Sequence, residues 1–505
     1  MILSALCKAA GLAYPRGAEQ ITVRSVCSDT AKLEKGDLFV CLRGTRADGH
    51  AFLDQACARG ACAAVVAQDF SGEIPDGLPV VRAASTRAAI AHLMDAFCGK
   101  PSQKMKFVGV TGTNGKTSVS WMLYELLREA QIPCALIGTV KCEGPKGEIT
   151  CQEQGTANMT TPDPEVLYPM LARLAEMGTQ TVVMEVTSHA LAMERCAPIR
   201  FDLGIFTNVT RDHLDFHGSM ENYFAAKKSL LLQCERALIN ADDAMLASLR
   251  TNSPCRLYTC STRTPAADFF AEQIRMSFSG ISYKLVSANA CLRAECSMTG
   301  QFAAVNSLQC ASAALLLGVK AQKIKDGMQL MPPVPGRMER LRLCTDPGFS
   351  VWIDYAHTPD ALENLLRAMH RLKLRSQRIV LVFGCGGDRD RGKRALMGQI
   401  ASRMADYCVI TSDNCRTEPP ADIIADILKG VDRRAHYRVI QDRRSAIRHV
   451  IAHARQGDLI LLAGKGHETY EINQNTRLAF DERAIVREAM AEYWKSADTD
   501  TEQGE

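Results

Sequence analysis

The sequence lacks several features that would place it in common protein classes. It has 20 cysteines, yet none forms the C-x-x-C pair expected of zinc or redox motifs. Scattered cysteines of this kind are typical of small buried apolar side chains, so we expect a reducing environment. No segment of the sequence approaches the run of about eighteen apolar residues that a membrane helix needs. The first stretch, MILSALCKAAGLAYPRG, has no basic segment ahead of its apolar residues. These absences predict a cytoplasmic protein with no membrane contact.

The chain also lacks a strong excess of charge of either sign. Its formal net charge is +4, and it contains neither a lysine block nor an arginine stripe interleaved with aromatic residues. Proteins that bind nucleic acid usually carry such a basic footprint, so we expect no nucleic-acid partner. What the chain does have is length. A chain of 505 residues is too long to fold around one hydrophobic core. This length predicts roughly three domains of about 100 to 200 residues each.

The order of apolar runs predicts an α/β protein with three domains. In residues 1–100 the runs DLFVCL and ACAAVVA alternate with helical patterns, as in a small α/β domain, and CGKPSQKMK follows as a linker. In residues 101–335 the runs KFVGV, CALIG, TVVMEV and LGIFTN indicate a buried parallel sheet. The partial alternation of GISYKLV and ACLRAECSM indicates antiparallel strands appended to that sheet.

A second boundary is predicted where MPPVPGRMER interrupts the helical pattern with three prolines and a glycine. Residues 336–495 then repeat the α/β pattern, with VWIDYAH, RIVLVFG, DYCVIT and DLILLAG as strands, and form the third predicted domain. The last residues, 496–505, have the sequence SADTDTEQGE and predict a disordered acidic tail.

A glycine-rich stretch, in FVGVTGTNGKTSVSWML, follows the first strand of the central region. Backbone N–H groups at a turn from strand to helix bind phosphate oxygens, while a lysine meets the β- and γ-phosphates and a hydroxyl ligates Mg²⁺. Val110 takes the place of the first glycine of the usual pattern, so the loop is a variant. An ordinary glycine turn is the alternative. We predict a nucleoside triphosphate site made by Gly112, Thr113, Asn114, Gly115, Lys116, Thr117 and Ser118.

Two further groups follow strands of the same predicted sheet. Glu185 ends the run TVVMEV, and His213 follows the run LGIFTN. Strand carboxyl ends are where an open parallel sheet binds its ligand, and a carboxylate near phosphates suits Mg²⁺. A salt-bridged strand end and a hydrogen-bonded loop histidine are the alternatives. His213 and His217 have the i,i+4 spacing of some zinc sites, but no third ligand accompanies them, so zinc is not predicted.

Taken together, the motifs of the chain resemble those of the Mur ligases. GVTGTNGKTS, MEVTSHAL, FTNVTRDHLDFHG, YFAAKKSLL, VPGRMER, DYAHTPDAL, FGCGGDRDRGKR and AGKGHE occur in the family's order, and SDTAKLEKGDLFVCLRGTRADGHAF resembles its uridine-binding part. The resemblance implies an ATP-dependent amide ligase with a UDP-binding N-terminal domain, a central phosphate-loop ATPase domain and a C-terminal Rossmann-like domain. In such a ligase ATP converts a D-Glu γ-carboxylate of the UDP-MurNAc peptide into an acyl phosphate, which an amine attacks. We expect a monomer.

The resemblance also implies roles for individual residues. The implied catalytic residues are Lys116, Glu185, His213 and Lys227. The implied Mg²⁺ ligands are Thr117, Glu185, His213 and Lys227, the last as a carbamate. ATP would also be contacted by Asn306, Arg337, Asp354, Tyr355 and His357. The UDP-MurNAc-dipeptide would be held by Asp29, Thr30, Thr160, Thr161, Ser188 and Arg195.

The loop TSDNCR, after the run DYCVI, bears on which amino acid is added. In the family this loop reads Asp-Asn-Pro-Arg in enzymes that add meso-diaminopimelate, whereas relatives that add lysine lack the arginine; here Cys415 replaces the proline. Diaminopimelate differs from lysine by a distal carboxylate, which a guanidinium grips in a planar fork. The resemblance therefore implies a diaminopimelate site made by Arg389, Asp413, Asn414, Arg416, Gly464 and Glu468.

Several alternatives stay open from the sequence. The same chemistry with L-lysine or another diamino acid is one, and a non-catalytic nucleotide-binding relative is another. A transport ATPase is disfavoured, since no signature or membrane-coupling segment is present. Arg416 alone is equally consistent with a surface ion pair to Asp413 or Glu418. The missing proline predicts a looser loop, because proline fixes φ and restricts the residue before it.

Overall fold

The computed structural model of the chain describes residues 1–44, 47–149, 159–251, 253–343, 346–474 and 476–502. The chain separates into two compact units. The first consists of Met1–Glu272, Leu285–Leu292 and Val305–Gly327. The second consists of Gln273–Lys284, Arg293–Ala304 and Met328–Glu505.

The N-terminal part of the first unit is a four-stranded parallel sheet in the order β1-β2-β3-β4. The runs that form its inner strands are almost entirely buried, because helices and loops cover both faces of the sheet. Short 3₁₀ helices lie at Ala18–Gln20, Gly49–Phe52 and Pro101–Gln103. The elements are α1 (Leu3–Ala9), β1 (Val26–Cys27), β2 (Leu38–Val40), α2 (Leu53–Ala58), β3 (Ala63–Ala67), β4 (Val80–Ala83) and α3 (Thr86–Phe97).

The central sheet contains eleven strands among the described residues. Its first elements are β5 (Lys106–Thr111), α4 (Lys116–Glu129), β6 (Cys134–Ile137), β7 (Cys142–Gly144), β8 (Gly147–Glu148), α5 (Pro164–Glu176), β9 (Thr181–Glu185), α6 (Ser188–Ala192), β10 (Leu203–Phe206), α7 (Leu214–His217) and α8 (Met220–Lys228). The others are β11 (Arg236–Asn240), α9 (Ala244–Ala247), β12 (Arg256–Ser261), β13 (Phe269–Ser277), β14 (Gly280–Ser287), β15 (Cys291–Cys296), α10 (Gln301–Leu316) and α11 (Ala321–Leu330), with 3₁₀ helices at Ser229–Gln233 and Ser248–Arg250.

The strand order of this sheet is β15-β14-β13-β12-β11-β10-β5-β9-β6-β7-β8. The strands from β12 to β6 run parallel, and β6, β7 and β8 pair antiparallel. β13 and β14 are joined by only two residues, a connection that permits only antiparallel pairing. The division between the two compact units runs through β13, β14 and β15. β5 lies between β9 and β10, so the carboxyl ends of these three strands meet at one edge.

The second unit contains a six-stranded sheet in the order β16-β17-β21-β18-β19-β20, parallel except for β16. Alternate residues of β18 point into different cores: Leu381 packs with α12, α13 and α14, whereas Val382 packs with α15 and α16. The elements are β16 (Glu339–Arg340), β17 (Ser350–Asp354), α12 (Pro359–Leu372), β18 (Ile379–Phe383), α13 (Gly392–Met404), β19 (Tyr407–Ile410), α14 (Pro420–Leu428), β20 (Tyr437–Val439), α15 (Arg443–Ala452), β21 (Leu459–Ala463), β22 (Tyr470–Asn473), β23 (Thr476–Ala479) and α16 (Glu482–Glu502).

These sheets confirm the predicted fold class, including the antiparallel strands of the central sheet and the Rossmann-like C-terminal sheet. The predicted boundaries near residues 100 and 335 stay predictions. At the chain end α16 continues to Glu502, and the disorder expected from residue 496 also stays a prediction. No proline or glycine precedes Gly504 in this segment, so nothing in the sequence stops the helix there. Among the described helices, none has both the length and the hydrophobicity that a membrane crossing requires.

Candidate active site

The glycine loop joins β5 to α4, as the sequence predicts. Gly112 has φ +148°, and a Cβ there would lie 1.8 Å from the Thr207 hydroxyl, so only glycine fits. Gly115 has φ +87° and is the N-cap residue of α4, where a Cβ would lie 2.8 Å from Oδ1 of Asn306. Asn306 is buried. The short distance from Gly115 shows that this predicted ATP residue, distant in sequence, lies next to the loop. The backbone around the loop is thus left open at a helix N-terminus, where N–H groups donate hydrogen bonds to phosphate oxygens.

The side chains of the loop form hydrogen bonds within the loop and to residues between β10 and the end of α8. The Lys116 ammonium donates hydrogen bonds to the carbonyl oxygens of Gly112 and Thr113, both at 2.9 Å. The buried Thr113 hydroxyl donates to the Thr210 carbonyl oxygen and lies 2.9 Å from the Tyr223 hydroxyl. Of the other predicted loop residues, Ser118 is buried in the first turn of α4, whereas Asn114 is exposed. The ammonium therefore lies over the loop it is predicted to serve.

Glu185 ends β9 directly beside the loop. The Thr117 hydroxyl donates to Oε2 of Glu185 at 3.0 Å, so two of the four predicted Mg²⁺ ligands are in contact. Thr139 donates twice to the same carboxylate, from its backbone N–H to Oε1 at 2.8 Å and from its hydroxyl to Oε2 at 3.1 Å. The Thr139 hydroxyl also lies 2.9 Å from that of Thr160. Thr139 belongs to no motif that would have singled it out.

Lys227 is the buried member of the pair of lysines that ends α8. Only 1% of Lys227 is exposed, whereas Lys228 is exposed. The Lys227 ammonium donates to the Gly112 carbonyl oxygen at 2.8 Å and lies 4.6 Å from the centre of the Tyr223 ring. Burial, and then the nearby charge of Lys116, hold the pKa of Lys227 well below its ordinary value. The neutral amine, which a lowered pKa favours, is the form that reacts with carbon dioxide to give a carbamate.

His213 is the N-cap residue of α7 and adopts φ +51°. Its ring lies 3.4 Å from the Asp212 carboxylate and 4.7 Å from the ring of His189, and 46% of its side chain is exposed. The ring of His217 lies 5.5 Å from that of His189, and its Nε2 contacts the Ser188 hydroxyl at 3.0 Å. The rings of His213 and His217 thus lie next to His189 at the start of α6.

The donor set of the loop suits a hard cation. Hydroxyl and carboxylate oxygens of Thr117 and Glu185 are the ligand types that Mg²⁺ prefers. Within the described part of the chain, no group of three or more His, Cys, Asp or Glu side chains is arranged to hold a metal ion. A site that uses a hydroxyl, one carboxylate, a carbamate and substrate phosphates needs no such group, so the residues fit the predicted magnesium site.

The residues predicted to hold the UDP-MurNAc-dipeptide converge next to Glu185. The Thr161 hydroxyl donates to the Glu185 carbonyl oxygen at 2.8 Å. Arg195 donates from Nη1 to the Thr161 carbonyl oxygen at 2.7 Å, and its Nε lies 2.8 Å from the Asp163 carboxylate. Ser188 is buried at the start of α6. Four predicted residues (Thr160, Thr161, Ser188 and Arg195) therefore lie around the carboxyl end of β9.

The predicted uridine residues Asp29 and Thr30 lie in the loop between β1 and β2. Asp29 is exposed and accepts a hydrogen bond from the Ala31 backbone, and the Thr30 hydroxyl donates to Gln55 at 3.1 Å. The residue before them was not predicted. The Ser28 backbone and hydroxyl both donate to the carboxylate of Glu165, in the first turn of α5.

In the second unit, the predicted ATP residues gather where β17 ends. Asp354 accepts hydrogen bonds from the backbone N–H groups of Met338 and Ala356, and burial raises its pKa. The Arg337 guanidinium lies 4.8 Å from the centre of the Tyr355 ring. The Tyr355 and His357 rings are 4.6 Å apart. Arg337, Asp354, Tyr355 and His357 thus form one group within the second unit.

The predicted diaminopimelate residues of the second unit form a network around a buried lysine. The ammonium of Lys465, fully buried, donates to Oδ1 of Asn414 at 2.9 Å and lies 3.7 Å from Asp413 and 3.9 Å from Glu468. Asn414 in turn donates to Glu468 at 2.8 Å. Gly464 has φ +116°, and a Cβ there would lie 2.6 Å from the Asp413 carboxylate. The other four residues were predicted from the sequence, whereas Lys465 was not.

Burial affects the two carboxylates of this network differently. Burial alone would raise the pKa of Asp413, but the charges of Lys465 and Arg443 outweigh it and hold that pKa below the ordinary value. For Glu468, burial dominates and raises the pKa, although Asn414 and Lys465 oppose the shift. Asp413 is therefore a fixed charge, whereas Glu468 takes up a proton at higher pH than an ordinary glutamate.

Arg416 belongs to the loop after β19, and its side chain contacts the glycine loop that follows β18. Its Nη1 donates to the Gly387 carbonyl oxygen at 2.7 Å and to the Asn414 carbonyl oxygen at 3.3 Å. Among the described residues it forms no ion pair, and its Nε and Nη2 donate no hydrogen bond. The alternative of a surface pair to Glu418 is not what the structure shows, because Arg394, fully buried, binds Glu418 at 2.8 Å. The exposed Arg389 lies on the same glycine loop.

The loop that carries Arg416 is supported by the hairpin of β22 and β23. Arg416 donates from its backbone to the Ile472 carbonyl oxygen at 3.0 Å and accepts from Gln474 at 2.7 Å. The Ile472 backbone donates to Oδ1 of Asn414 at 3.0 Å. Cys415 is buried, and burial raises its pKa to about 11, so its thiol is not ionised at neutral pH. The hairpin thus supplies restraints that a proline at this position would otherwise provide.

Comparison with known proteins identifies the family. Residues 22–98 match the model of the Mur ligase family catalytic domain, residues 110–314 that of the Mur ligase middle domain, and residues 336–466 that of the Mur ligase glutamate ligase domain. A UDP-N-acetylmuramoyl-L-alanyl-D-glutamate–2,6-diaminopimelate ligase of Syntrophomonas wolfei is 39% identical, covering 93% of this chain and 94% of the relative. One of Trichormus variabilis is 41% identical, with the same coverage.

Solved structures agree with these sequence relatives. A UDP-N-acetylmuramoyl-L-alanyl-D-glutamate–2,6-diaminopimelate ligase has 30% identity and a TM-score of 0.66, covering 96% of this chain and 98% of that chain. MurF from Acinetobacter baumannii, at 17% identity, has a TM-score of 0.59 and covers 98% of each chain, which shows the shared fold. With these matches over nearly its whole length, the chain belongs to the Mur ligase family.

Proposed function

We propose that this chain is the ATP-dependent ligase that joins meso-2,6-diaminopimelate to the D-Glu γ-carboxylate of UDP-MurNAc-L-Ala-D-Glu, in the synthesis of peptidoglycan precursors. The observation that carries the choice of amino acid is the orientation of Arg416. One end of its guanidinium is fixed to two carbonyl oxygens, and the Nε–Nη2 edge has no partner among the described residues. That edge presents two parallel N–H donors, the geometry that grips a carboxylate.

The network beside it suits the other charges of diaminopimelate. Its distal centre carries an ammonium as well as a carboxylate, and lysine lacks that carboxylate. Asn414 holds Glu468 at 2.8 Å, where its carboxylate is an acceptor for the ammonium. The fixed negative charge of Asp413 adds to the attraction for a cation. The zwitterionic end of diaminopimelate would therefore meet the Arg416 guanidinium with its carboxylate and the Glu468 carboxylate with its ammonium, whereas lysine would leave the Arg416 edge unpaired.

The reaction needs activation of the acceptor acid, because a carboxylate has no adequate leaving group. In the first step an oxygen of the D-Glu γ-carboxylate attacks the γ-phosphorus of ATP, and ADP leaves. In the second step the neutral amine of diaminopimelate attacks the acyl carbon, phosphate leaves, and the amine gives up a proton. Such transfers are accelerated mainly by positioning and by groups that neutralise the phosphoryl charge. Lys116 is the cation we assign to this role.

The residues around Lys116 supply the rest of the charge balance. Mg²⁺, when bound, neutralises phosphate charge and orients the transferring group. As its protein ligands we assign Thr117, Glu185, His213 and the carbamate of Lys227. The carbamate forms when the neutral Lys227 amine adds carbon dioxide and releases a proton. The shifted pKa of Lys227 and its full burial support this assignment. The carbamate would place a buried negative charge beside the cation.

The test is the mass of the product formed from ATP, UDP-MurNAc-L-Ala-D-Glu and a set of candidate amino acids. We expect a product that contains diaminopimelate, with one phosphate released per bond formed. A product that contains lysine in comparable yield would overturn the role of Arg416 while leaving the ligase chemistry intact. Absence of any amide product, with the chain folded, would instead favour a non-catalytic nucleotide-binding protein.

A further inference from the structure

Glu165 connects the predicted uridine loop to the central part of the first unit. The backbone N–H of Ser28 donates to Oε1 of Glu165 at 2.8 Å, and the Ser28 hydroxyl lies 3.1 Å from both carboxylate oxygens. Ser28 directly precedes Asp29 and Thr30, and 137 residues separate the two partners in sequence. The contact is also well placed electrostatically, since a carboxylate in the first turn of α5 faces the positive end of the helix dipole.

The same α-helix is tied to the residues that we assign to the dipeptide. Asp163, the N-cap residue of α5, forms an ion pair with Arg195 at 2.8 Å. Arg195 donates to the Thr161 carbonyl oxygen at 2.7 Å, and Thr161 donates to the backbone of Glu185 at 2.8 Å. A continuous series of contacts therefore runs from the Ser28 loop, through the start of α5, to the strand end beside the phosphate loop.

A second contact of the same kind lies nearby. Ser85, the N-cap residue of α3, hydrogen-bonds through its hydroxyl to the carboxylate of Glu194. Glu194 is the neighbour of Arg195 and adopts φ +53°. In both contacts a serine of the N-terminal sheet region meets a glutamate of the central region, and Glu194 directly precedes the assigned dipeptide residue Arg195. The opposite side of the Ser28 loop is held by Arg59, which donates to the Thr30 carbonyl oxygen at 2.6 Å.

From these contacts we infer that Glu165 is a positioning residue that holds the uridine loop in its binding conformation, at a fixed distance from the dipeptide site. This inference rests on the proposed function, in which one long substrate occupies both sites. Such a substrate gains its full binding free energy only if both ends are held at the matching separation. If Ser28 is released, the uridine loop loses its connection to α5, and the nucleotide end of the substrate is bound less well. The dipeptide end keeps its own contacts.

The experiment compares the whole substrate with one that lacks the nucleotide. For Glu165→Ala and Ser28→Ala we expect the KM for UDP-MurNAc-L-Ala-D-Glu to rise about tenfold, the size of one lost hydrogen bond to a charged group. We expect the KM for ATP and the kcat to stay unchanged. With MurNAc-L-Ala-D-Glu, which has no uridine, the variants and the wild type should have equal kcat/KM. The double variant should match the single variants, because both remove the same contact.

Glu176→Ala is the matched control, since Glu176 is exposed at the other end of α5. A Glu165→Ala variant that lowers kcat/KM equally for both substrates would refute the inference, because it would act through general structure. An unchanged KM in both single variants would also refute it. Calorimetric titration with UDP alone gives a result that does not depend on the ligase reaction. If UDP binds to the wild type and its affinity for both variants is about tenfold lower, the inference is supported. If UDP binds to all three proteins with equal affinity, or does not bind to the wild type, the inference is overturned.

Discussion

Replacing Arg416 by methionine should change which amino acid the enzyme accepts. Methionine keeps much of the length of the side chain but removes the guanidinium, whose Nη1 donates to the Gly387 and Asn414 carbonyl oxygens at 2.7 and 3.3 Å. A hydrogen bond to a charged group contributes about 1.5–3 kcal/mol, so loss of a two-bond fork to the distal carboxylate should cost about 3 kcal/mol. That figure corresponds to about a hundredfold decrease in kcat/KM for diaminopimelate.

The assay is amino-acid-dependent phosphate release, measured with diaminopimelate and with L-lysine at saturating ATP and UDP-dipeptide. We expect the ratio of the two kcat/KM values to fall about a hundredfold in Arg416→Met, with the KM for ATP unchanged. Arg391→Met is the control, because Arg391 lies on the loop after β18, is 70% exposed and pairs with Glu418. If Arg416→Met keeps the wild-type preference for diaminopimelate, the carboxylate is recognised elsewhere and the reasoning is wrong.

Three further predictions follow from the geometry. Lys227→Ala should lower kcat at least about a hundredfold, whereas Lys228→Ala, which alters an exposed side chain, should keep wild-type phosphate release; equal losses would contradict the assignment. Gly464→Ala should raise the KM for diaminopimelate, because its Cβ would displace the carboxylate 2.6 Å away, whereas Gly147→Ala, at the same φ of +116° with nothing within 4 Å, should leave it unchanged. The hydrogen bonds and charge of a buried arginine depress the pKa of Glu418 from 4.5 to about 2. Above pH 4.5, Glu418→Gln should therefore have a lower Tm than the wild type by the full effect of the ion pair, and this difference should shrink as the pH falls towards 2. A constant difference in Tm across that range would show that the ion pair is not responsible.

The sequence predicted those parts of the site whose residues are close together along the chain or follow buried strands. The glycine loop, Glu185 and the Asp413–Arg416 loop all lie at the ends of apolar runs, where the strand pattern indicates a ligand site. Choosing Lys227 over Lys228 required the family resemblance, and the structure adds the physical distinction, since only Lys227 is buried. The edge strand β20 was not predicted, because all three of its residues are exposed and show no alternation.

The residues that were missed are those defined by tertiary contacts. Thr139 contacts a carboxylate 46 residues away, Lys465 contacts an amide 51 residues away, and Ser28 contacts Glu165 across 137 residues. A threonine after a strand or a lysine between two glycines has no pattern that indicates such a partner. These side chains orient the groups that the motifs identify, and only the folded chain shows which segments they join.

The support of the Asp413–Arg416 loop by the hairpin of β22 and β23 has an evolutionary implication. Because rigidity comes from a neighbouring segment, the third position of the loop is released from the need for proline, and a buried thiol is accepted there. The choice between diaminopimelate and lysine then depends on two segments that diverge independently, the Asp413–Arg416 loop and the hairpin. Variation in the hairpin, which contacts the loop through the backbone of Ile472 and Gln474, would become a route by which members of the family drift in selectivity.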